Sequence, residues 1–119
     1  MMFPKQAPGR SAAFRGLARG QACMLRVPGV CCGNPETTVL AHSNRASDGK
    51  GLGLKSNDAR GVWACHTCHA WLDQGRASAE VKQYYWDRAD ERMLAVLHTL
   101  SLELGKDGRA AAWALANRV

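Results

Sequence analysis

The hydrophobic pattern of the chain is regular only in its second half. Between residues 79 and 104, apolar residues recur at intervals of three and four, which places them on one face of a helix. These residues are Val81, Tyr85, Ala89, Met93, Val96, Leu97, Leu100 and Leu104. Ser78 is a candidate N-cap, Glu80 suits the positive end of the helix dipole, and Gly105 follows the last apolar position. The pattern predicts one long helix from about Ala79 to Leu104, whose apolar stripe fits either an intramolecular core or a dimer interface.

Two short apolar runs in the first half predict β-strands. The run from Thr37 to Ala41 is rich in β-branched residues and ends at His42, and a second run covers residues 61–64. If the two strands pair, they form an antiparallel hairpin with a long glycine-rich connection, residues 43–60. Residues 65–72 then predict a turn into a short helix that stops near Gly75. Strand, strand, short helix and long helix together predict a small α+β fold.

The length of 119 residues corresponds to one domain with loose ends. We expect a flexible basic arm over residues 1–19, in which residues 12–18 can form one or two helical turns. The domain is expected over residues 20–104, followed by a short tail or helix over residues 105–119.

The charge distribution favours a polyanionic partner. The net charge is +6, and residues 1–30 contain five basic and no acidic residues. Such a block suits nucleic acid, although it is equally typical of a solvated tail. The chain has no apolar run of about 18 residues and no secretory signal, so we expect no membrane association and a cytoplasmic location.

The five cysteines are most simply explained as metal ligands plus one spare thiol, because a reducing compartment disfavours disulfides. Cys65 and Cys68 have the spacing of a zinc knuckle, and Cys23 with Cys31 or Cys32 supplies a second pair. Adjacent residues seldom bind the same ion. We favour Cys31, since Cys32 begins a turn-like Cys-Gly-Asn sequence. The alternative is that these thiols are ordinary buried residues.

Three further residues have a pattern typical of phosphodiester chemistry. His42 follows an apolar strand and is a candidate general base that activates water. His69 and Asp73 lie four residues apart on the predicted short helix, so both can contact one divalent cation. Taken singly, each also fits an ordinary edge-of-core or surface residue.

The order of these motifs resembles a known family. A strand ending in His, a loop, a strand, Cys-x-x-Cys-His and a helix form the ββα-metal motif of HNH (His-Me finger) endonucleases. More closely, Arg26-Val27-Pro28-Gly29-Val30-Cys31, Gly33-Asn34-Pro35-Glu36-Thr37, Val39-Leu40-Ala41-His42 and Ala64-Cys65-x-x-Cys68-His69-x-x-x-Asp73 resemble small phage and prophage proteins related to the RecA-dependent nuclease Ref. The resemblance covers residues 20–75, about half of the chain.

The resemblance implies specific roles. His42 is similar to the first HNH histidine, the general base, and His69 is similar to the last, a ligand of a catalytic magnesium or manganese ion together with Asp73. Cys23, Cys31, Cys65 and Cys68 would hold a structural zinc ion. Asn57 and Asp58 are the candidates for the central residue, which orients His42 or helps to hold the cation. The chain departs from many HNH enzymes at Ala41, where those enzymes carry a metal ligand.

We therefore expect a zinc-stapled ββα core backed by a long C-terminal helix, with metal-dependent DNA endonuclease activity. The resemblance implies phage recombination or DNA processing, with a RecA-type filament as a candidate partner. The basic residues expected to contact phosphates are Arg15, Arg19, Arg45, Lys50, Lys55 and Arg60. The alternatives are a non-catalytic zinc module that binds nucleic acid or a recombination protein, and an adaptor that acts through the amphipathic helix.

Overall fold

Among the described residues, the fold is an α+β arrangement in which helices pack against a two-stranded sheet and against one another. A computed structural model describes residues 9–43 and 57–118. The elements are α1 (Ala12–Leu17), β1 (Val39–Ala41), β2 (Val62–Ala64), α2 (His66–Gln74), α3 (Ala79–Ser101) and α4 (Lys106–Ala116), with 3₁₀ turns at Pro35–Thr37 and Asp58–Arg60.

The sheet is the antiparallel hairpin that the sequence predicts. Val39 pairs with Ala64, Leu40 with Trp63 and Ala41 with Val62. All three residues of β2 are buried, and the Met93 thioether of α3 accepts a hydrogen bond from the Trp63 amide at 3.4 Å. The short sheet is therefore stabilised mainly by the helix that covers it, because an isolated two-stranded hairpin has too little buried surface.

The long helix begins and ends close to the predicted residues. The Ser78 hydroxyl accepts a hydrogen bond from the Val81 amide at 3.2 Å, which is the expected N-cap. Of the apolar stripe, Ala89, Met93 and Leu97 are fully buried, as is Ala111 on α4. The middle of the stripe is thus core within one chain, whereas its two end residues, Val81 and Leu104, are exposed.

The two ends of the described chain belong to the core. Phe14 on α1 is fully buried, and its ring packs against Trp113 of α4 with centroids 5.9 Å apart. Residues 9–19 are therefore not a separate arm, and residues 106–116 are a packed helix. The apolar faces of α1 and α4 cover each other, so both helices pack with the domain expected over residues 20–104.

Two polar contacts fasten the end of the described chain to the turn before β2. The Asn57 side-chain amide donates to the Asn117 carbonyl at 2.8 Å, and Arg118 donates to the Ala59 carbonyl at 3.1 Å. Arg118 also pairs with Asp90 of α3. Among the described residues, no helix is both long and apolar enough to cross a membrane.

Candidate active site and metal centre

Four cysteines converge at one end of the sheet. The sulfur atoms of Cys23, Cys31, Cys65 and Cys68 all lie within 4.8 Å of one another. Around a tetrahedral zinc ion with bonds of about 2.3 Å, neighbouring sulfurs stand about 3.8 Å apart, so a small contraction fits the cluster to an ion. These four residues can hold a metal ion, and they are the four that the spacing predicts.

The backbone explains why these thiols meet. The Met24 amide donates to the Trp63 carbonyl at 2.7 Å, which fastens the Cys23 loop to the edge of β2. The Arg26 amide points at the Cys23 sulfur at 3.5 Å, and this turn requires a left-handed backbone at Arg26, with φ of 49°. Cys65 directly follows β2 and is the N-cap residue of α2, so the second pair, Cys65 and Cys68, lies at the same end of the sheet.

The thiols differ in how readily they ionise. Burial opposes ionisation of Cys65, but hydrogen bonds from the Thr67 hydroxyl and the Cys68 amide outweigh it and lower the pKa of Cys65 to about 5. Burial raises the pKa of Cys68 and of Cys31, and the neighbouring Cys23 raises both further. A cation bound among these thiols would favour their ionised form, because cysteine binds metal as the thiolate.

The structure also separates Cys31 from Cys32. Cys32 is exposed and outside the cluster, where its sulfur lies 3.6 Å from the Thr37 hydroxyl and 3.8 Å from Nδ1 of His66. Cys31 belongs to the four-sulfur cluster and Cys32 does not, so Cys31 is the residue placed to bind an ion and Cys32 is the spare thiol.

Beyond the other end of β1, His42 meets Asp58. The His42 Nε2 atom lies 2.7 Å from Oδ1 of Asp58, which is fully buried in the 3₁₀ turn before β2. His42 follows β1 and Asp58 precedes β2, so antiparallel pairing brings both to the same end of the sheet. Of the two candidates for the central residue, Asp58 is the one in contact with His42.

The second oxygen of Asp58 is held by the N-terminal helix. Oδ2 accepts from the Ser11 amide at 2.8 Å and from Nη1 of Arg15 at 2.6 Å, and Arg10 lies 3.9 Å away. Burial acts to raise the pKa of Asp58, but the bonds from Ser11, His42 and Arg15 outweigh it, so its pKa lies below the ordinary value. Asp58 is therefore an ionised acceptor at neutral pH, and both of its oxygens already have donors.

Asn57 has a different environment. Its side-chain oxygen accepts from the Ala59 amide at 2.8 Å, so it caps the 3₁₀ turn, and its amide holds the Asn117 carbonyl. The side chain of Asn57 thus supports the turn that carries Asp58.

His69 and Asp73 form the i, i+4 pair that the helix spacing predicts. His69 Nε2 and Asp73 Oδ2 are 3.3 Å apart, and both side chains are partly exposed. Ligand atoms around a six-coordinate magnesium ion are about 3 Å apart, so this pair has suitable spacing to share a cation. Leu72 lines one surface pocket together with Ser43, so the last turn of α2 lies beside the residue that follows His42.

The six basic residues predicted to contact phosphates have different positions in the structure. Arg45, Lys50 and Lys55 lie outside the described residues. Arg19 forms an exposed ion pair with Glu36 at 3.8 Å, and Arg60 ends the 3₁₀ turn. Arg15 was expected to bind DNA but donates to Asp58, so at least one of its N–H groups has a structural role.

The contribution of the N-terminal segment to this site was missed from the sequence. Ser11 and Arg15 are 47 and 43 residues from Asp58, and no local pattern links them. One signal was available, because Ser11 is an N-cap three residues before Phe14, and Phe14 and Leu17 are apolar at helical spacing. Those features predict a packed helix but not its contact with Asp58.

Fold and site together define a small α+β protein with a cluster of four thiols that can hold a metal ion at one end of a hairpin and a His–Asp pair at the other. The family model described as "Putative nuclease YbcO" matches residues 12–102, and the chain belongs to this family.

Known relatives agree with this assignment. A protein of Escherichia coli strain K12 and one of Enterobacteria phage 82, both described as putative nuclease YbcO, are each 48% identical over 63 residues. Those matches cover 53% of this chain and 65% of the relatives' length, slightly less than two thirds. A solved structure described as that of "a putative bacteriophage protein" from Escherichia coli strain K-12 matches with a TM-score of 0.57 at 31% identity, covering 72% of this chain and 96% of that one.

Proposed function

We propose that this protein is a metal-dependent DNA endonuclease of the HNH type, in which His42 activates the attacking water. The observation that carries the proposal is the contact between His42 and the buried Asp58 at the end of the hairpin. The family description supports a nuclease role. The order β1, β2, α2, with a histidine after β1 and a second histidine on α2, supports the HNH assignment.

The hydrogen bond to Asp58 determines which nitrogen of His42 acts as the base. An ionised carboxylate only accepts hydrogen bonds, so Nε2 of His42 carries the proton and donates to Oδ1. The neutral imidazole then has its lone pair on Nδ1, which takes the proton from water as the oxygen attacks phosphorus. Asp58 is a positioning residue in this scheme. It stabilises the imidazolium that forms, and because both of its oxygens are occupied it is not a cation ligand.

Two kinds of metal belong to the proposal. Cys23, Cys31, Cys65 and Cys68 would hold a structural zinc ion, because four thiolates at this spacing form a closed tetrahedral set. His69 and Asp73 would hold a magnesium or manganese ion, which supplies charge neutralisation at the phosphate and the leaving oxygen.

Ala41 favours one alternative, a zinc module that binds nucleic acid without cleaving it. This position carries a metal ligand in many HNH enzymes, but here Ala41 is fully buried and paired with Val62 in the sheet. A role in phage DNA recombination, with dependence on a RecA-type filament, also remains part of the proposal for the endonuclease.

The test is a nicking assay on supercoiled and single-stranded DNA, in magnesium or manganese, with and without a RecA filament. Wild-type protein is compared with His42→Ala and His69→Ala, and with His98→Ala as the control, since His98 is exposed on α3. We expect the His42 variant to lose about 10²- to 10⁴-fold in rate and the His98 variant to retain wild-type activity.

Metal analysis accompanies the assay so that loss of folding is not mistaken for loss of chemistry. His42→Ala is expected to contain as much zinc as the wild type. If zinc-loaded wild-type protein cleaves no DNA under any of these conditions but binds it, the non-catalytic alternative replaces the endonuclease.

A further inference from the structure

A second basic feature lies beside the candidate active site, on the opposite side of Asp58 from His42. The structure shows a groove of about 450 Å³ between α1 and β1. It is lined by Arg15, Gly16, Arg19, Glu36, Thr38, Val39 and Leu40. Arg15 lies on α1 and Arg19 lies just beyond its end, and both residues border the same space.

The groove is linked to the active site through Arg15. One of its N–H groups binds Oδ2 of Asp58, whose other oxygen binds His42. A guanidinium has five N–H donors, and the Arg15 side chain is 39% exposed, so donors remain for a ligand in the groove. An anion held there would lie close to the His–Asp pair.

One residue that lines the groove carries a buried hydroxyl without a hydrogen-bond partner in the part of the chain that the structure describes. Thr38 is 3% exposed, and its Oγ1 has no hydrogen-bond partner among the described residues. Buried hydroxyls are normally paired, because burial without a partner costs free energy. A phosphate oxygen is an acceptor that this hydroxyl can donate to.

Arg19 in the groove already has an ionic partner, so an anion that binds there must displace it. Arg19 contacts Glu36 at 3.8 Å, and both side chains are more than 70% exposed. Such a pair contributes little to stability, so its exchange for a phosphate costs little. The Glu36 carboxylate itself opposes anion binding.

We propose that the α1–β1 groove binds the sugar–phosphate backbone of the DNA strand next to the bond that is cleaved. Arg15, Arg19 and Thr38 are the phosphate contacts, and Arg15 connects the groove to Asp58 and His42. Open space beside Gly16, where a Cβ would meet no atom within 4 Å, leaves room for the strand. This proposal rests on the proposed nuclease function and deepens it by assigning the substrate contact.

The experiment measures DNA affinity in the full-length, zinc-loaded His42→Ala protein, which separates binding from cleavage. A fluorescein-labelled oligothymidylate and a labelled duplex are titrated by anisotropy between about 50 and 200 mM salt. Arg19→Gln is expected to weaken binding about three- to tenfold and to reduce the slope of log affinity against log salt by about one. The matched control is Arg88→Gln, which removes an arginine paired with a glutamate on α3, outside the groove.

Two further variants test the groove with effects of opposite sign. Glu36→Gln is expected to tighten binding about threefold, because it removes the opposing charge. Thr38→Val is expected to weaken binding without lowering the melting temperature, because the deleted hydroxyl has no partner in the free protein.

The outcomes distinguish this proposal from the nuclease function. If Arg19→Gln and Arg88→Gln bind equally well and Glu36→Gln has no effect, the groove is not the phosphate site, while cleavage by the wild type would still support the endonuclease. If the His42→Ala protein binds neither DNA, both proposals are contradicted.

Discussion

Nε2 of His42 lies 2.7 Å from Oδ1 of Asp58, across 16 residues of sequence. Asp58 is also bound by Ser11 and Arg15, so the N-terminal helix, the end of β1 and the turn before β2 meet at one carboxylate. The orientation of the proposed base therefore depends on a residue that touches neither water nor phosphate in the proposed reaction.

Replacing Asp58 by asparagine is expected to lower kcat about a hundredfold while leaving zinc content unchanged. The amide can present an N–H to His42, which favours the tautomer with the proton on Nδ1 and removes the base from the position it needs. Single-turnover nicking rates measure this effect. A wild-type rate in Asp58→Asn would show that the contact does not orient the base.

The same substitution changes how stability depends on pH. The folded pKa of Asp58 is below its ordinary value of 3.8, so in acid the unfolded chain binds more protons than the folded protein. The contribution of Asp58 is complete above that value and is lost as the pH falls through the lower, folded pKa. At neutral pH, Asp58→Asn should be less stable by about 2 kcal/mol.

Denaturant unfolding at about pH 7 and about pH 3 measures this difference. The gap between wild type and Asp58→Asn is expected to narrow in acid. A gap of the same size at both pH values would show that ionisation of Asp58 does not stabilise the fold.

Substitutions at individual cysteines should distinguish the four proposed metal ligands from the spare thiol. Cys68→Ser is expected to lose the bound metal and to melt at a much lower temperature, because metal binding to such a site contributes directly to folding free energy. Cys32→Ser should retain metal and stability, since Cys32 is exposed outside the cluster. Both expectations are checked by measuring the metal content per chain and the melting temperature, with and without a chelator. Equal metal loss in the two variants would contradict the assignment of Cys31.

Asn57→Ala tests whether Asn57 is structural while its neighbour is functional. It removes the cap of the 3₁₀ turn and the bond to Asn117, so we expect a loss of about 1–2 kcal/mol in stability. At temperatures where the variant is folded, its nicking rate should remain near that of the wild type. A loss of activity as large as in Asp58→Asn would assign Asn57 to the chemistry.

Phe14→Ala tests whether α1 is part of the core. Phe14 is fully buried against α4, so the truncation is expected to cost about 3–5 kcal/mol. The control is Ala13→Gly on the exposed face of the same helix, for which about 1 kcal/mol is expected from helix propensity. If chemical denaturation shows the same loss of unfolding free energy in both variants, residues 12–17 are a loosely attached arm and not part of the core.

Much of the fold was predictable because its signals are local. The helical spacing from Val81 to Leu100, the cap at Ser78 and the two short β-branched runs each depend on residues close in sequence. The four metal-binding cysteines were predictable for a similar reason, since a metal site requires ligand pairs at short spacing. His69 and Asp73 followed from helix geometry alone.

The errors and the open choices all concern contacts between distant segments. The basic composition of residues 1–19 suggested an arm, whereas packing of Phe14 against Trp113 makes α1 part of the core. The sequence left both Asn57 and Asp58 as candidates for the central residue, with Asp58 closer in spacing to the family that the chain resembles, because the direction of a side chain in a turn depends on the folded backbone. Antiparallel pairing of β1 and β2 decided the matter by bringing Asp58 to His42.

By itself, the sequence determined the types of element, the cysteine pairs that are candidates for a metal site and the histidine that follows the first strand. Only the tertiary structure decided that Arg15 holds Asp58, that Asp58 rather than Asn57 contacts His42, and that Cys32 lies outside the cluster. The physical reason is that capping, periodicity and ligand spacing are properties of short segments. The environment of a buried carboxylate is instead set by whichever distant segments the packing of the core brings to it.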